Sequence, residues 1–555
     1  MKKLLPLFVA VLLISCSAPK QTSPQTITTT SSAPHSTPKL VVGIVVDQMR
    51  YDYITRFWDR YQDGGFKRLV GEGFNMKNAH FNYMPTYTGP GHASVWTGGA
   101  PGIHGIIGNN WFDKFSGSSV YCAGDPNVKP VGTTSSAGQM SPHRMLTTSV
   151  ADENRLHTQM QGKTIGVALK DRGAILPAGH TANAAYWFHG QDEGQWITSD
   201  FYMETLPKWV QDFNRSGTVD SYMKTWETLY DISTYTLSSP DDTPYEGGFK
   251  GKDRPVFPYN LPELQTANGG YEIIKSTPYG NSLTTDFALA AIEGEDLGQD
   301  QITDFLTLSY SSTDYVGHNF GVNSVEVEDT YLRLDIELAR LLDYLDQQVG
   351  EGNYTVFLTA DHGAVHVPSY LESVNVPSGY FNNNNFRGAL EAFLQETTGY
   401  QGLISNISNN QIFFDYQQLR NQDIDSRDLQ ELVKQFALGF DKINMAFTRA
   451  QLEGTDYNSG LEALLDEGFH QKRSGDVVLV LEPSVISYSR TGSTHGSGFS
   501  YDTHAPMIFY GHGIRNGSSL QRANIVDIAP TISALLGISY PNGATGRPLE
   551  VVLQQ

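Results

Sequence analysis

The chain has 555 residues, 39% of them hydrophobic, so it can bury a sizeable core, either as several domains or as one large α/β domain carrying insertions. Its formal net charge of -21 repels nucleic-acid phosphates and excludes a sequence-independent backbone binder. Any handling of phosphate must therefore concentrate positive charge locally, through metal ions or a few Lys and Arg.

At the N-terminus, Met1-Lys2-Lys3 and the apolar run Leu4 to Ile14 have the charged start and short apolar stretch of a secretory signal, too short to span a membrane. Leu13-Ile14-Ser15-Cys16 resembles a bacterial lipobox, which makes a lipidated Cys16 the first mature residue and residues 1–16 the signal; plain cleavage and secretion is the alternative. Both routes predict export to the periplasm or cell surface. Residues 17–38, mostly Ser, Thr, Pro, Gln and Ala, bury too little apolar surface to offset chain entropy and read as a disordered linker. Residues 39–555 are then the folded part. Only Cys122 remains in it, which excludes an intramolecular disulfide and a cysteine-based zinc site.

Val41-Val42-Gly43-Ile44-Val45-Val46 is a β-branched apolar run ending in Asp47, the pattern of a buried parallel strand with a carboxylate at its C-terminal end. The pattern recurs in Phe305 to Tyr310, which leads to Asp314, and in Thr355 to Ala360, which leads to Asp361-His362. Further buried strands are predicted at 164–169, 477–481 and 506–510. Helices are predicted over 328–348, where Leu334, Leu338, Leu341 and Leu345 recur at helical spacing, and near 525–536, closed by Gly537. Strands alternating with helices predict a doubly wound, mostly parallel α/β sheet, and such sheets bind ligands beyond the carboxyl ends of their strands. Segments near 111–160, 174–290 and 365–475 are rich in Gly, Asn, Tyr and Pro and read as insertions and a cap.

Several polar clusters fall at those strand ends. Pro85-Thr86-Tyr87-Thr88-Gly89-Pro90-Gly91-His92 sets a hydroxyl at the start of a helix reaching about Thr97, where the Gly89 N–H can face a phosphoryl group. Alone, this is an ordinary helix cap. Asp314 and His318 share what reads as a strand-end loop, and Asp361-His362 offers a second carboxylate–imidazole pair. One such pair is usually structural; two pairs plus Asp47, each after a buried strand, suit zinc in the absence of thiolates. Lys170 and Arg172, two apart on what reads as extended chain, can face one ligand. Phosphate-ester hydrolysis needs this combination: an activated oxygen nucleophile, a stabilised leaving oxygen and cations for the remaining oxygens.

From Val46-Asp47-Gln48-Met49-Arg50 through Thr88-Gly89-Pro90-Gly91-His92 and Ser493-Thr494-His495-Gly496-Ser497 to Gly546-Arg547-Pro548-Leu549, the sequence resembles the PafA-type phosphate monoesterases of the alkaline phosphatase superfamily. The resemblance covers essentially all of residues 39–549. It implies two zinc ions per chain, one held by Asp314, His318 and His495, the other by Asp47, Asp361, His362 and the nucleophile Thr88. It further implies a phosphothreonine intermediate and phosphate oxygens held by Asn109, Lys170 and Arg172. His495 is assigned by the resemblance alone, because His504 lies close by and reads as a supporting residue. His92 and His104 are expected to make local hydrogen bonds. The chain is expected to act as a monomer on small phosphate monoesters of broad range, with no nucleic acid as a specific partner. The rivals are a nucleotide phosphodiesterase on the same scaffold and a noncatalytic surface lipoprotein; a sulfatase lacks support because no Cys or Ser nucleophile in a Cys-x-Pro-x-Arg setting occurs near Thr88.

Overall fold

The structure, a computed structural model, describes residues 37–554. The expected signal segment, the lipobox at Cys16 and nearly all of the linker lie outside the described residues. Ten strands form the main sheet: β1 (Leu40–Val46), β2 (Phe74–Met76), β3 (Pro130–Val131), β4 (Thr164–Ala168), β5 (Ala184–His189), β6 (Gln195–Ser199), β7 (Asp304–Tyr310), β8 (Tyr354–Thr359), β9 (Met507–Gly511) and β10 (Gly517–Ser519). Their spatial order is β10-β2-β9-β8-β1-β7-β4-β5-β6-β3. The central block β8-β1-β7-β4-β5 is parallel throughout, and β9 and β6 flank it antiparallel. Every residue of β1, β7 and β8 is buried, as continuous apolar runs covered on both faces require.

The covering helices are α1 (Thr88–Thr97), α2 (Asp171–Ala178), α3 (Tyr279–Gly294), α4 (Ser312–Phe320), α5 (Val325–Leu345) and α6 (Ile528–Leu536). Side chains alternate across the strands, so the two sheet faces can be followed residue by residue. On one face, Phe305 packs edge-on to Trp96 of α1, and a Cβ at Gly43 would stand 2.4 Å from the Trp96 and Phe357 rings; glycine lets α1 lie directly on the central strand. On the other face, the Tyr310 hydroxyl shares a 3.0 Å hydrogen bond with Thr285 of α3. The architecture is the doubly wound, mostly parallel α/β sheet that the alternating strands and helices predict.

Two local expectations change. The apolar run Val477–Leu481 does not join the main sheet. It pairs with Gln411–Phe414 and Ile443–Thr448 in a separate four-stranded sheet completed by Ile404–Ser408, whose own core includes Phe386, Leu390, Val433 and Leu479. A short buried run is compatible with any buried sheet, and periodicity carries no information on the partner. Residues 312–318 form the start of α4 rather than a loop, with Asn281 Oδ1 accepting the Ser312 N–H at 3.1 Å.

Charge is buried away from the strand ends as well. Glu246 and Glu326, 7% and 0% exposed, each keep one carboxylate oxygen without a hydrogen-bond partner. Burial raises both carboxyls above their ordinary value of 4.5, and for Glu246 the adjacent Glu326 raises it further. A carboxyl whose folded pKa exceeds its unfolded value contributes stability below the unfolded pKa and loses it as pH rises toward the folded one. Glu246→Gln should therefore flatten the fall in Tm between about pH 6 and pH 9. Thermal melts at both pH values check this, and an unchanged slope would refute it.

Candidate active site

The strand order puts the polar residues in register. Asp361 follows β8, Asp47 follows β1, Asp314 follows β7 and Lys170 follows β4, which are four adjacent parallel strands. Their C-terminal ends open into one crevice. Asp47, Asp361 and His362 bring ligand atoms within 4.8 Å of one another, and so, as a second group, do Asp314, His318 and His495. On α4, Asp314 and His318 stand four residues apart and so share a face, with His318 Nε2 3.1 Å from Asp314 Oδ1.

All three imidazoles are oriented by the backbone. His318 Nδ1 lies 2.7 Å from the Ser493 carbonyl, His495 Nδ1 2.7 Å from that of Thr86, and His362 Nδ1 3.0 Å from that of Gly363. Each ring is thus set to donate through Nδ1 and to present Nε2 as a lone pair, the tautomer a metal ligand needs. Burial holds His362 and His495 below the ordinary histidine pKa, which keeps the rings neutral.

Asp47 Oδ1, Asp361 Oδ2 and His362 Nε2 are buried and have no hydrogen-bond partner. Such atoms are costly unless something coordinates them. Two carboxylates plus one imidazole, and one carboxylate plus two imidazoles, are donor sets that fit a zinc-type divalent ion with an open position. The charge balance agrees. Lys170 Nζ sits 2.6 Å from both Asp47 Oδ2 and Asp314 Oδ2, so one ammonium links the two groups. Burial opposes its charge, but Asp314 and Asp47 hold the ammonium above its ordinary pKa. Burial, then Asp314 and Asp361, push Asp47 well above the usual carboxylate range, whereas Asp314, despite burial, is held well below it by His318 and Lys170. The three carboxylates exceed the cations beside them, and a divalent ion corrects that excess.

The helix start is built against these groups. Thr88 is the first residue of α1; Tyr87 precedes it as N-cap and makes no side-chain cap bond. The expected capping role of Thr88 is therefore not observed, and its buried hydroxyl faces Arg172 Nη2 at 3.5 Å. A Cβ at Gly91 would lie 2.2 Å from the Asp361 carbonyl, so glycine permits the helix to approach the β8 strand end. His92, expected to bond locally, does so to the Thr88 carbonyl at 2.9 Å and to Ser309 Oγ at 2.8 Å, and it also stands 3.3 Å from Asp361 Oδ2. His104 bonds Ser94 Oγ at 2.9 Å. His504 stacks between Tyr51 and His80 and belongs to neither ligand group.

The phosphate-binding candidates are arranged differently from the extended-chain expectation. Lys170 is the N-cap of α2 and Arg172 lies in its first turn, and both line the same depression. Arg172 Nη1 is 3.1 Å from the Tyr121 hydroxyl, which in turn bonds Asp171. Asn109 Oδ1 accepts the Gly89 N–H at 2.7 Å, leaving its Nδ2 as the donor to a ligand. Cys122 lies beneath this turn, fully buried, its sulfur 3.2 Å from where a Gly89 Cβ would be; burial pushes its thiol up to about 12.

Sequence reasoning assigned no role to Gln48. At φ +64 its N–H donates to Asp361 Oδ1 at 3.1 Å and its Nε2 to Asp314 Oδ1 at 2.7 Å, bracing both groups. Its one signal is adjacency to Asp47. Tyr121 was also missed, because it arises from a short hairpin, Asn110–Asp113 and Ser118–Tyr121, inside a segment of weak periodicity.

This fold and these groups place the chain in the type I phosphodiesterase / nucleotide pyrophosphatase family, which matches residues 41–506, and within it the chain is a phosphoric monoester hydrolase of the PafA alkaline phosphatase type. Alkaline phosphatase PafA of Elizabethkingia meningoseptica is 44% identical over 520 residues, 93% of this chain and 94% of that protein. Alkaline phosphatase PhoV of Synechococcus elongatus is 44% identical over 527 residues, 93% of each. A Myroides odoratus protein named calcium-transporting ATPase is 46% identical over 523 residues, 93% of this chain and 95% of that protein. The crystal structure of wild-type PafA superposes with a TM-score of 0.91 at 43% identity, covering 94% of this chain and 100% of that one. Murine ectonucleotide pyrophosphatase / phosphodiesterase 5, at 13% identity and a TM-score of 0.51, shares the fold.

Proposed function

We propose that this alkaline phosphatase hydrolyses phosphate monoesters in two displacements through a covalent phosphothreonine at Thr88. In the first, Thr88 Oγ forms a bond to phosphorus while the ester P–O bond breaks and the alcohol departs; in the second, water forms the new P–O bond and the Thr88–phosphorus bond breaks, releasing inorganic phosphate. Asp47, Asp361 and His362 would hold one zinc ion beside Thr88, and Asp314, His318 and His495 a second. When bound, the pair would supply activation of the attacking hydroxyl and stabilisation of the departing oxygen. Arg172 and Asn109 hold the non-bridging oxygens from the protein side, and Lys170 adds charge between the two groups.

The observation that carries the reading is the Arg172 guanidinium 3.5 Å from the Thr88 hydroxyl, within a set of buried carboxylate and imidazole atoms that lack partners. A monoester presents more negative oxygen than a diester and gains more from that cation. The test is the ratio of kcat/KM for an aryl phosphate to that for its methyl diester, in parent and Arg172→Ala protein. The parent ratio should be far above one and fall roughly 100-fold in the variant. A parent ratio below one would make the chain a diesterase.

The name of the Myroides relative points to ATP and to calcium transport. ATP hydrolysis lies within the same chemistry, and among the described residues no helix is long and apolar enough to cross a membrane. The signal-like start and Cys16 support export with a lipid tether, which globomycin-sensitive processing would test.

A further inference from the structure

Beside the Asp314–His318–His495 group lies a cavity of about 330 Å³, whose lining includes His495, Tyr87 and Asn109 together with Asn409, Asn410 and Ser487. With Thr88 beside the Asp47–Asp361–His362 group on the proposed reaction, the Asp314–His318–His495 group is the one left to face the departing oxygen, which directs the alcohol of the substrate toward the space next to His495. This cavity is the space lined by His495.

Its outer wall is a fixed structure. Asn409 and Asn410 form the two-residue turn between strands Ile404–Ser408 and Gln411–Phe414, with φ of +52 and +56, a left-handed pair for which Asn is among the few tolerant side chains. Asn409 Nδ2 donates to the Asn110 carbonyl at 2.6 Å, pinning the tip to the loop that carries Asn109. The Asn410 carbonyl accepts the Leu479 N–H at 2.8 Å, pinning it to the small sheet. Phe112 and Phe413 also meet edge to face, their ring centres 5.4 Å apart. Asn409 thus uses its amide to hold the tip, whereas Asn410, also a lining residue of the cavity, has a side-chain amide with no hydrogen bond among the described residues, which leaves its donor and its acceptor available to a ligand.

We infer that Asn410 is a specificity-determining residue that hydrogen-bonds the hydroxyl groups of sugar-like leaving alcohols, so that sugar phosphates are preferred to alkyl phosphates of equal size. The inference rests on the phosphatase reading above. A pocket that offers paired polar groups discriminates strongly against an analogue lacking the matching hydroxyls, because the pocket's own groups are then left unpaired.

The experiment compares kcat/KM for glucose 6-phosphate and n-hexyl phosphate, with phenyl phosphate as a reference, in parent and Asn410→Gly protein. Glycine keeps the left-handed turn and removes the whole side chain, amide included. The parent should prefer glucose 6-phosphate by roughly tenfold, and Asn410→Gly should erase that preference while changing n-hexyl phosphate by less than about twofold. Asn410→Asp, which keeps an acceptor, should restore part of it. An equal fall for both substrates, or no preference in the parent, overturns the inference while phenyl phosphate turnover leaves the phosphatase reading standing. Absence of turnover for all three overturns both.

Discussion

Thr88→Ala protein should show kcat/KM for an aryl phosphate reduced by roughly 10,000-fold, the scale of loss when a covalent nucleophile is removed from a site that otherwise stays assembled. The site should stay assembled because Thr88 contributes little to its architecture. It makes no cap bond for α1, and its carbonyl, which receives the His92 ring, survives the substitution. Thr88→Ser keeps the hydroxyl and should retain activity within about tenfold. Acid quenching during turnover should trap phosphate on Thr88 in the parent, on Ser in the serine variant and on neither in the alanine variant. Alanine protein with more than a tenth of parental activity would rule out covalent catalysis by this residue.

On the two-ion reading proposed above, Asp361→Ala should lower the bound metal from two ions per chain to one and reduce kcat/KM by roughly 1,000-fold, because the lost carboxylate is the hub of its group. Its Oδ2 stands 3.4 Å from His362 Nε2 and 3.3 Å from His92, while Oδ1 accepts the Gln48 N–H. Removing it leaves His362 and Asp47 as the remaining carboxylate and imidazole of that group, beside the weaker Thr88 hydroxyl, too few to hold an ion tightly. Metal analysis after desalting gives the count directly. Parent protein should also lose Tm on chelation, by the linkage between ligand binding and the native state, and the variant should lose less. An unchanged metal count in Asp361→Ala would refute the ligand assignment.

The strand-end acids were legible in the sequence for a physical reason. A parallel strand covered on both faces must be continuously apolar, so Asp47 and Asp361 stand out as the first polar residues beyond such runs. Other parts left no comparable mark. His495 follows no strand, and its position is fixed by a long-range bond to the Thr86 carbonyl. The helix carrying Asp314 and His318 contains Gly317 and two β-branched residues, so local propensity argues against it. It forms because Asn281 receives its first N–H, and Gly317 leaves room for the Gln48 amide, whose Oε1 would lie 1.9 Å from a Cβ there, to stay on Asp314. In the small sheet only Ile404–Ser408 and Gln411–Phe414 are joined by a tight turn; Ile443–Thr448 and Val477–Leu481 are separated from them and from each other by helices such as Ser426–Leu438, and their pairing depends on contacts that no local pattern encodes.

Cys122 gives the molecule a built-in gauge of opening. Its thiol is sealed beneath the turn at Thr88 and Gly89, and it is the one cysteine among the described residues. An alkylating reagent can reach that sulfur only when the floor of the phosphate cradle lifts, and the buried thiol must also lose its proton to react. The labelling rate under native conditions, less the part set by global unfolding, therefore counts excursions of this floor. Any ligand that clamps the cradle shut should slow the count in proportion to the time it spends bound.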